Sequence, residues 1–267
     1  MSWPFDTSRP IVTAAHSAAA EQARLGITPE DHALPPLMVG TFQRAAYERL
    51  LDRAGVAPDA EQRTSRSGGI AIQSTSMIGS IAGKDVRLVH FTVGAPAVAI
   101  ALEIAIARGV RDVVVVGSAG GLHPDLRLGS TVVVDAVAGT GREDGTSHHY
   151  APAGDTVRAD ADLTERLVRA AENRGVTPAL GSSWTTDAPY RECVDGLRRH
   201  RDSGALVVEM EAATIFAVAR ARNVRAGLIV ATSDELSEDW LPGFSHPDYL
   251  KALIRAADIV MDAVATT

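Results

Sequence analysis

Residues 113–116 are four consecutive valines, set between the polar pair Arg111 and Asp112 and the small residues Gly117, Ser118, Ala119, Gly120 and Gly121. A β-branched apolar run with no polar alternation predicts a strand buried on both faces. The small residues predict a loop at its carboxyl end, where a ligand can approach backbone amides. Upstream, residues 96–108 predict a helix with Pro96 in its first turn and Gly109 ending it; downstream, residues 131–137 read as a second strand.

The same reading extends along the chain. Residues 11–25 are alanine-rich and predict a helix stopped by Gly26, followed by a proline-containing connector. Residues 37–39 suit a short strand that enters Gly40. The next fifteen residues, 41–55, have helical spacing, with Phe42, Ala46, Leu50 and Leu51 on the packed face and Gly55 as the stop. Arg44 then falls in or near the first helical turn, just past a strand tip. Residues 70–81 and 86–93 are extended candidates around a turn at Gly83, Lys84 and Asp85. Residues 139–155, rich in glycine, charge and histidine, predict a surface excursion. Asp160 can cap a helix over 161–174 that Gly175 closes, and residues 176–183 read as a strand. The segment 185–192 is a polar turn. Residues 206–223 switch from extended to helical spacing, 226–235 form a buried strand ending in polar groups, and 247–264 form a terminal helix.

This alternation predicts an α/β fold: a three-layer sandwich with a central mixed β-sheet flanked by helices. A tail and helical extension over 1–36 would precede a single domain over 37–267, since no internal linker is long enough to divide it.

Composition narrows the function classes. A formal net charge of -7 argues against a nucleic-acid footprint. The single cysteine, Cys193, rules out an internal disulfide framework and suits a reducing compartment. Neither a membrane span nor a secretory leader is indicated, so a cytoplasmic protein is expected. The dinucleotide fingerprint, the phosphate-loop lysine motif, paired cysteines, the metalloprotease motif and the esterase GxSxG are all missing. His148 and His149 complete no ligand set, so no metal is expected.

What recurs is a strand running into a small or acidic tip: Gly40 with Arg44, Ser118 with Gly120, Glu209 with Glu211, and Ser233 with Asp234. If the sheet gathers these tips, the cleft holds an anion receptor, carboxylates for sugar hydroxyls and an acid, an inventory that suits cleavage of a polar glycosidic bond. A carboxylate at Glu211 can accept from ribose hydroxyls while positive charge grows on the anomeric carbon. Asp234 can donate to a departing purine, and Arg44 with Ser118 can hold phosphate. Each residue also has a plain structural reading: Arg44 as a helix-surface charge, Ser118 as a turn residue, Glu209 as an ion-pair partner, Met210 as core filling, Asp234 as a side-chain cap.

Three segments resemble the purine nucleoside phosphorylase and uridine phosphorylase family, in its hexamer-forming branch. VVVVGSAGGLHPDLRLGSTVVV is similar to its phosphate-loop region, VVEMEAATIFAVA to its ribose-binding segment, and ATSDEL to the base-side segment of purine-specific members. The resemblance implies Gly40, Arg44 and Ser118 at phosphate, with Arg66 or Arg63 as the arginine that a neighbouring subunit contributes. It implies Met210 and Glu211 at ribose, Tyr190 and Gly120 at the base, and Asp234 as the catalytic acid. Orthophosphate is then a co-substrate, no other cofactor is implied, and the assembly is a homo-oligomer, a hexamer built as a trimer of dimers.

Some positions depart from the family. The GDPxR loop stands here as Gly40, Thr41, Phe42, Gln43 and Arg44; the arginine two places before the central glycine is Val115; the aromatic before Tyr190 is Pro189. A valine supplies no charge-assisted bond, so phosphate must be held otherwise. The Gln-Glu-Arg pattern of uridine-cleaving relatives is not visible, which with Asp234 favours a purine nucleoside. The expected activity is phosphorolysis of a nucleoside to free base and ribose-1-phosphate. The alternatives are a nucleosidase using water, for which no acid stands after the first strand, a uridine-type phosphorylase, and a non-catalytic nucleoside-binding protein.

Overall fold

The computed structural model describes residues 5–56, 63–64, 75–237 and 239–266, the pair 63–64 in backbone only. Besides two short 3-10 helices (Ser147–His149 and Pro189–Arg191), seven α-helices and eleven strands occur among them. In chain order they are α1 (Ala14–Leu25), β1 (Leu37–Thr41), α2 (Arg44–Arg53), β2 (Arg63–Thr64), β3 (Thr75–Ile81), β4 (Lys84–His90), α3 (Ala95–Ala107), β5 (Asp112–Gly121) and β6 (Thr131–Glu143). There follow β7 (Val157–Arg158), α4 (Ala161–Asn173), β8 (Ala179–Thr186), α5 (Val194–Asp202), β9 (Ala205–Glu209), α6 (Ala212–Arg222), β10 (Arg225–Leu236), β11 (Trp240–Pro242) and α7 (Pro247–Ala265).

The strands form one mixed sheet in the order β11-β10-β6-β8-β9-β5-β1-β4-β3-β2, with β7 on β6. A further pairing of β10 with β5 closes β10, β6, β8, β9 and β5 into a ring. The valines of β5 divide by parity, as a strand period of two requires. Val113 and Val115 pack with α3 and α6, while Val114 and Val116 pack with α2, α4 and α7. The fold is thus the expected mixed sheet between helical layers. α1 lies against α3, outside the sheet.

Local signals explain most boundaries. The Asp160 side chain accepts from the Leu163 amide at 3.0 Å and starts α4. Thr13 caps α1 in the same way, so that helix begins at Ala14, three residues later than its composition suggests. The chain reverses between β3 and β4 at Ala82 and Gly83, with φ of 50° and 78°. Lys84 and Asp85 therefore belong to β4 and not to the turn. The expected extended residues 70–74 lie outside the described residues.

Two expectations are corrected. Residues 117–121 do not leave the sheet as a loop; they continue β5, pairing with β10, and Gly120 and Gly121 pair with Val208 and Val207 of β9. Their smallness reflects crowding, since a Cβ on Gly120 would collide with Leu236 and approach Asp234 Oδ2 to 3.2 Å. Nor is 139–155 simply a surface excursion. Arg142, Asp144, Ser147 and His148 are buried, and Asp144 accepts from the Ser147 and Thr214 hydroxyls at 2.7 and 2.5 Å. Arg142 donates to the carbonyls of Ala151, Pro152 and Asp155. These charges are buried because the network satisfies them.

Candidate active site

The carboxyl ends of β1 and β5 and the ends of β9 and β10 open into two adjoining cavities. The smaller, of about 120 Å³, is lined by Gln43, Ser118, Glu209, Met210 and Glu211 among others. The larger, of about 500 Å³, is lined by Gly120, Glu192, Met210, Ser233, Asp234 and Trp240 among others. Glu209 and Met210 border both, so the two form one cleft. Of the residues singled out in the sequence, Ser118, Gly120, Met210, Glu211 and Asp234 meet there.

Glu209 organises the floor. Its Oε1 accepts from Ser183 and Thr185 hydroxyls at 2.9 and 2.5 Å. Its Oε2 accepts from the backbone amides of Glu211 and Ala212 at 2.7 and 2.5 Å, holding the entry to α6. Burial pushes this carboxyl up, and the four donors offset part of that. Glu211 accepts from the Gly94 amide at 2.7 Å through Oε1. Burial, followed by the nearby Glu209, pushes Glu211 up to about 8. A buried carboxyl with spare acceptor capacity can take up ribose hydroxyls, which favour its charged form.

Ser118 Oγ accepts from Gln43 Nε2 at 2.7 Å, which ties the β1–α2 corner to β5. Gln43 is itself fixed by Thr41, whose hydroxyl donates to Gln43 Oε1 at 3.2 Å. In the larger cavity Asp234 Oδ1 accepts from the Ser233 hydroxyl at 2.7 Å and Oδ2 from the Trp240 indole at 2.8 Å. The Glu192 backbone amide donates to the Pro189 carbonyl at 3.3 Å, while its half-buried side chain makes no hydrogen bond or ion pair to the described residues. Burial, and after it the Asp234 charge, raises Glu192 to about 7.

Other expected residues stand elsewhere. Arg44 begins α2 with its side chain 85 % exposed, and its Nε donates to Glu48 at 2.7 Å, so an i,i+4 ion pair turns it away from the cleft. Gly40 is buried in β1, where a Cβ would collide with the Phe91 ring, so it serves close packing. Tyr190, at 98 % exposure, stands on the rim of the larger cavity and not inside it. Val115, register partner of Gly40 and Leu228, is fully buried toward α3 and α6. Arg66 and the Arg63 side chain lie outside the described residues. His148 is buried, with Nε2 on the Arg142 carbonyl at 3.0 Å, because it belongs to the network around Asp144.

Sequence reasoning missed Gln43, Glu192, Trp240 and the Gly94 amide. Gln43 had a signal, since it occupies the loop between Gly40 and Arg44. Glu192 had one too, lying two residues after Tyr190. Among the described residues no group of three or more His, Cys, Asp or Glu side chains could hold a metal ion, and no helix is long and apolar enough to cross a membrane.

Residues 56–265 match the model of the phosphorylase superfamily, and the chain belongs to that family. It is 32 % identical over 185 residues to a guanosine phosphorylase from Halorubrum lacusprofundi, an alignment that covers 69 % of this chain and 75 % of the relative. It is 26 % identical over 182 residues to a uridine phosphorylase from Haemophilus influenzae, covering 63 % and 71 %. A purine nucleoside phosphorylase of the DeoD type from Exiguobacterium sibiricum is 30 % identical over 164 residues, covering 59 % and 67 %. The crystal structure of a uridine phosphorylase from Vibrio fischeri superposes with a TM-score of 0.74 at 18 % identity, covering 90 % of this chain and 95 % of the other, a likeness of fold. Among eight curated relatives matched by sequence, six bear the name uridine phosphorylase and two are named for guanosine or purine nucleosides, which leans against the purine preference expected from Asp234.

Proposed function

We propose that this chain is a nucleoside phosphorylase, cleaving the N-glycosidic bond with orthophosphate to give free base and ribose-1-phosphate. The observation that carries the reading is the continuous cleft with Ser118 and Glu211 in its smaller part and Asp234 in its larger part. Glu211, braced by Gly94, accepts from ribose hydroxyls while Met210 packs under the sugar. Phosphate sits by Ser118 and Gln43 and attacks the anomeric carbon. As the new C–O bond forms, the C–N bond breaks and its electron pair leaves with the base; Asp234, protonated when the nucleoside is bound, supplies the proton the base takes up and is left as the carboxylate. The single domain spans 37–267 with 1–36 as its extension. No arginine lines the smaller cavity among the described residues. Arg44 therefore reaches phosphate by releasing Glu48, or a neighbouring subunit supplies the cation, as in a hexameric trimer of dimers.

A purine nucleoside is the first reading for the substrate, because Asp234 lies beside the larger cavity. Uridine is the second, favoured by the relatives that bear its name. Base release from guanosine, inosine, adenosine and uridine, followed with and without phosphate, tests both. Phosphate-dependent release supports phosphorolysis, equal release in phosphate-free buffer points to hydrolysis, and saturable binding without turnover points to a binding protein.

A further inference from the structure

Glu211 stands at the entrance of α6, and the sequence of that helix leaves its orientation open. Residues 212–219 run Ala, Ala, Thr, Ile, Phe, Ala, Val, Ala, and all of them are buried. A helix that is apolar all round has no polar face to decide which way it turns, because burial is non-directional. Thr214 is the one polar side chain in the run. Its hydroxyl donates to Asp144 Oδ2 at 2.5 Å, and both residues are fully buried. Asp144 is braced in turn: Oδ2 also accepts the Ser147 amide at 2.8 Å, Oδ1 accepts the Ser147 hydroxyl at 2.7 Å, and that hydroxyl accepts from Arg142 Nε at 3.1 Å.

The start of α6 is gripped differently. The Glu211 and Ala212 amides donate to Glu209, and the Ala213 amide donates to Thr185 Oγ1 at 3.0 Å. These bonds satisfy first-turn amides that have no partner within the helix, and they fix where the helix begins. A second grip is needed to fix how it is turned. Thr214 lies in the same turn, three residues after Glu211, so rotation about the helix axis moves both. A turn of about 10° carries a group about 5 Å from the axis by about 1 Å, and a misplacement of about 1 Å costs up to about 100-fold in rate. We propose that Asp144 is a positioning residue for the cleft: by holding the Thr214 hydroxyl it fixes the rotation of α6 and so aims the Glu211 carboxylate at the ribose hydroxyls. Asp144 lines neither cavity, so it acts through Thr214 and not on substrate. A buried carboxylate is costly to desolvate, and a fixed orientation is what this one gives in return. The assignment rests on the phosphorylase reading, which makes Glu211 the acceptor for the sugar.

The test separates the hydroxyl from the shape of residue 214 in the full chain. Asp144→Ala also strips Ser147 of its acceptor and can unfold the segment, so Thr214 is the cleaner handle. Thr214→Val keeps the branched shape and removes the hydroxyl, leaving Asp144 its Ser147 bonds; Thr214→Ser keeps the hydroxyl. For whichever of guanosine, inosine, adenosine and uridine the native chain uses best, Thr214→Val should lower kcat/KM about 10- to 100-fold, with Thr214→Ser within about threefold of native and KM for phosphate within about twofold. Calorimetric binding of the same nucleoside should weaken about tenfold in Thr214→Val, and the same change made in Glu211→Gln should have no further effect, because the group it aims is already altered. Native kinetics in Thr214→Val, Thr214→Ser as poor as Thr214→Val, or an equal loss of binding in the Glu211→Gln background would overturn the assignment. If the native chain releases no base from any nucleoside, the phosphorylase reading fails. In that case weaker binding by Thr214→Val that disappears in Glu211→Gln still supports the positioning role, and unchanged or absent binding overturns it.

Discussion

The Glu211 amide donates to Glu209 Oε2 at 2.7 Å, so the proposed sugar-binding residue is held through its backbone by the carboxyl two positions before it. A carboxylate offers about four acceptor sites, and Glu209 fills them with Ser183, Thr185, Glu211 and Ala212. It has no capacity left for substrate and acts by positioning. Glu209→Gln puts an N–H₂ against donors; kcat/KM should fall about 10- to 100-fold and stability by about 1–3 kcal/mol. Kinetics beside thermal melting check this, and a native rate would separate Glu211 from its support.

Glu211 carries a stability cost tied to its role. Its folded pKa, pushed up to about 8, lies above the ordinary glutamate value, so the folded form binds the extra proton. The stability this confers is complete below the unfolded pKa and drains away as pH rises through about 8. Glu211→Gln should melt at a higher temperature than the native chain at pH 9, with a gain on the order of 1 kcal/mol or more. The same variant should lose most nucleoside turnover. A melt lower than native at pH 9 would contradict the assignment of that charge.

Arg44 is held away from the cleft in an exposed ion pair with Glu48, and such pairs hold by roughly 0.3–0.5 kcal/mol. Rotation toward phosphate is therefore cheap. Arg44→Ala should raise KM for phosphate about tenfold, as expected for loss of one charge-assisted contact, with little change in melting temperature. An unchanged KM would assign phosphate to other groups.

Far from the cleft, Asp258 on α7 accepts from Arg49 and Arg53 of α2 at 2.8 Å each. Burial works against the charge, but these bonds prevail and hold the carboxyl below its ordinary value. Its contribution is present above the unfolded carboxylate pKa and is lost as pH falls toward and below about 4. Asp258→Ala should cost about 1–2 kcal/mol at pH 7, discounted for the partly exposed arginines. The difference from native should shrink in acid, which denaturation at pH 7 and pH 3 measures.

Legibility followed how local each signal was. The strand buried on both faces at 113–116, the Asp160 cap and the helices around Leu50 and Phe216 are short-range features, and they stand where the sequence places them. Residues 117–121 misled because small residues mark both loops and crowded strands; the crowding comes from Leu236 and Val208, distant in sequence. The buried polar network at Arg142 and Asp144 looked like a loop for the same reason, its partners Thr214 and Asp155 being remote. In the cleft, acidic strand tips were legible. Gln43 and Glu192 carried only a signal of position, because a lone amide or carboxyl acquires meaning from what faces it.

The most direct test of the account is identification of the sugar released when guanosine is incubated with the chain and phosphate. Ribose-1-phosphate, formed in step with free guanine and abolished by omitting phosphate, is the predicted result. Free ribose formed at the same rate without phosphate would contradict it.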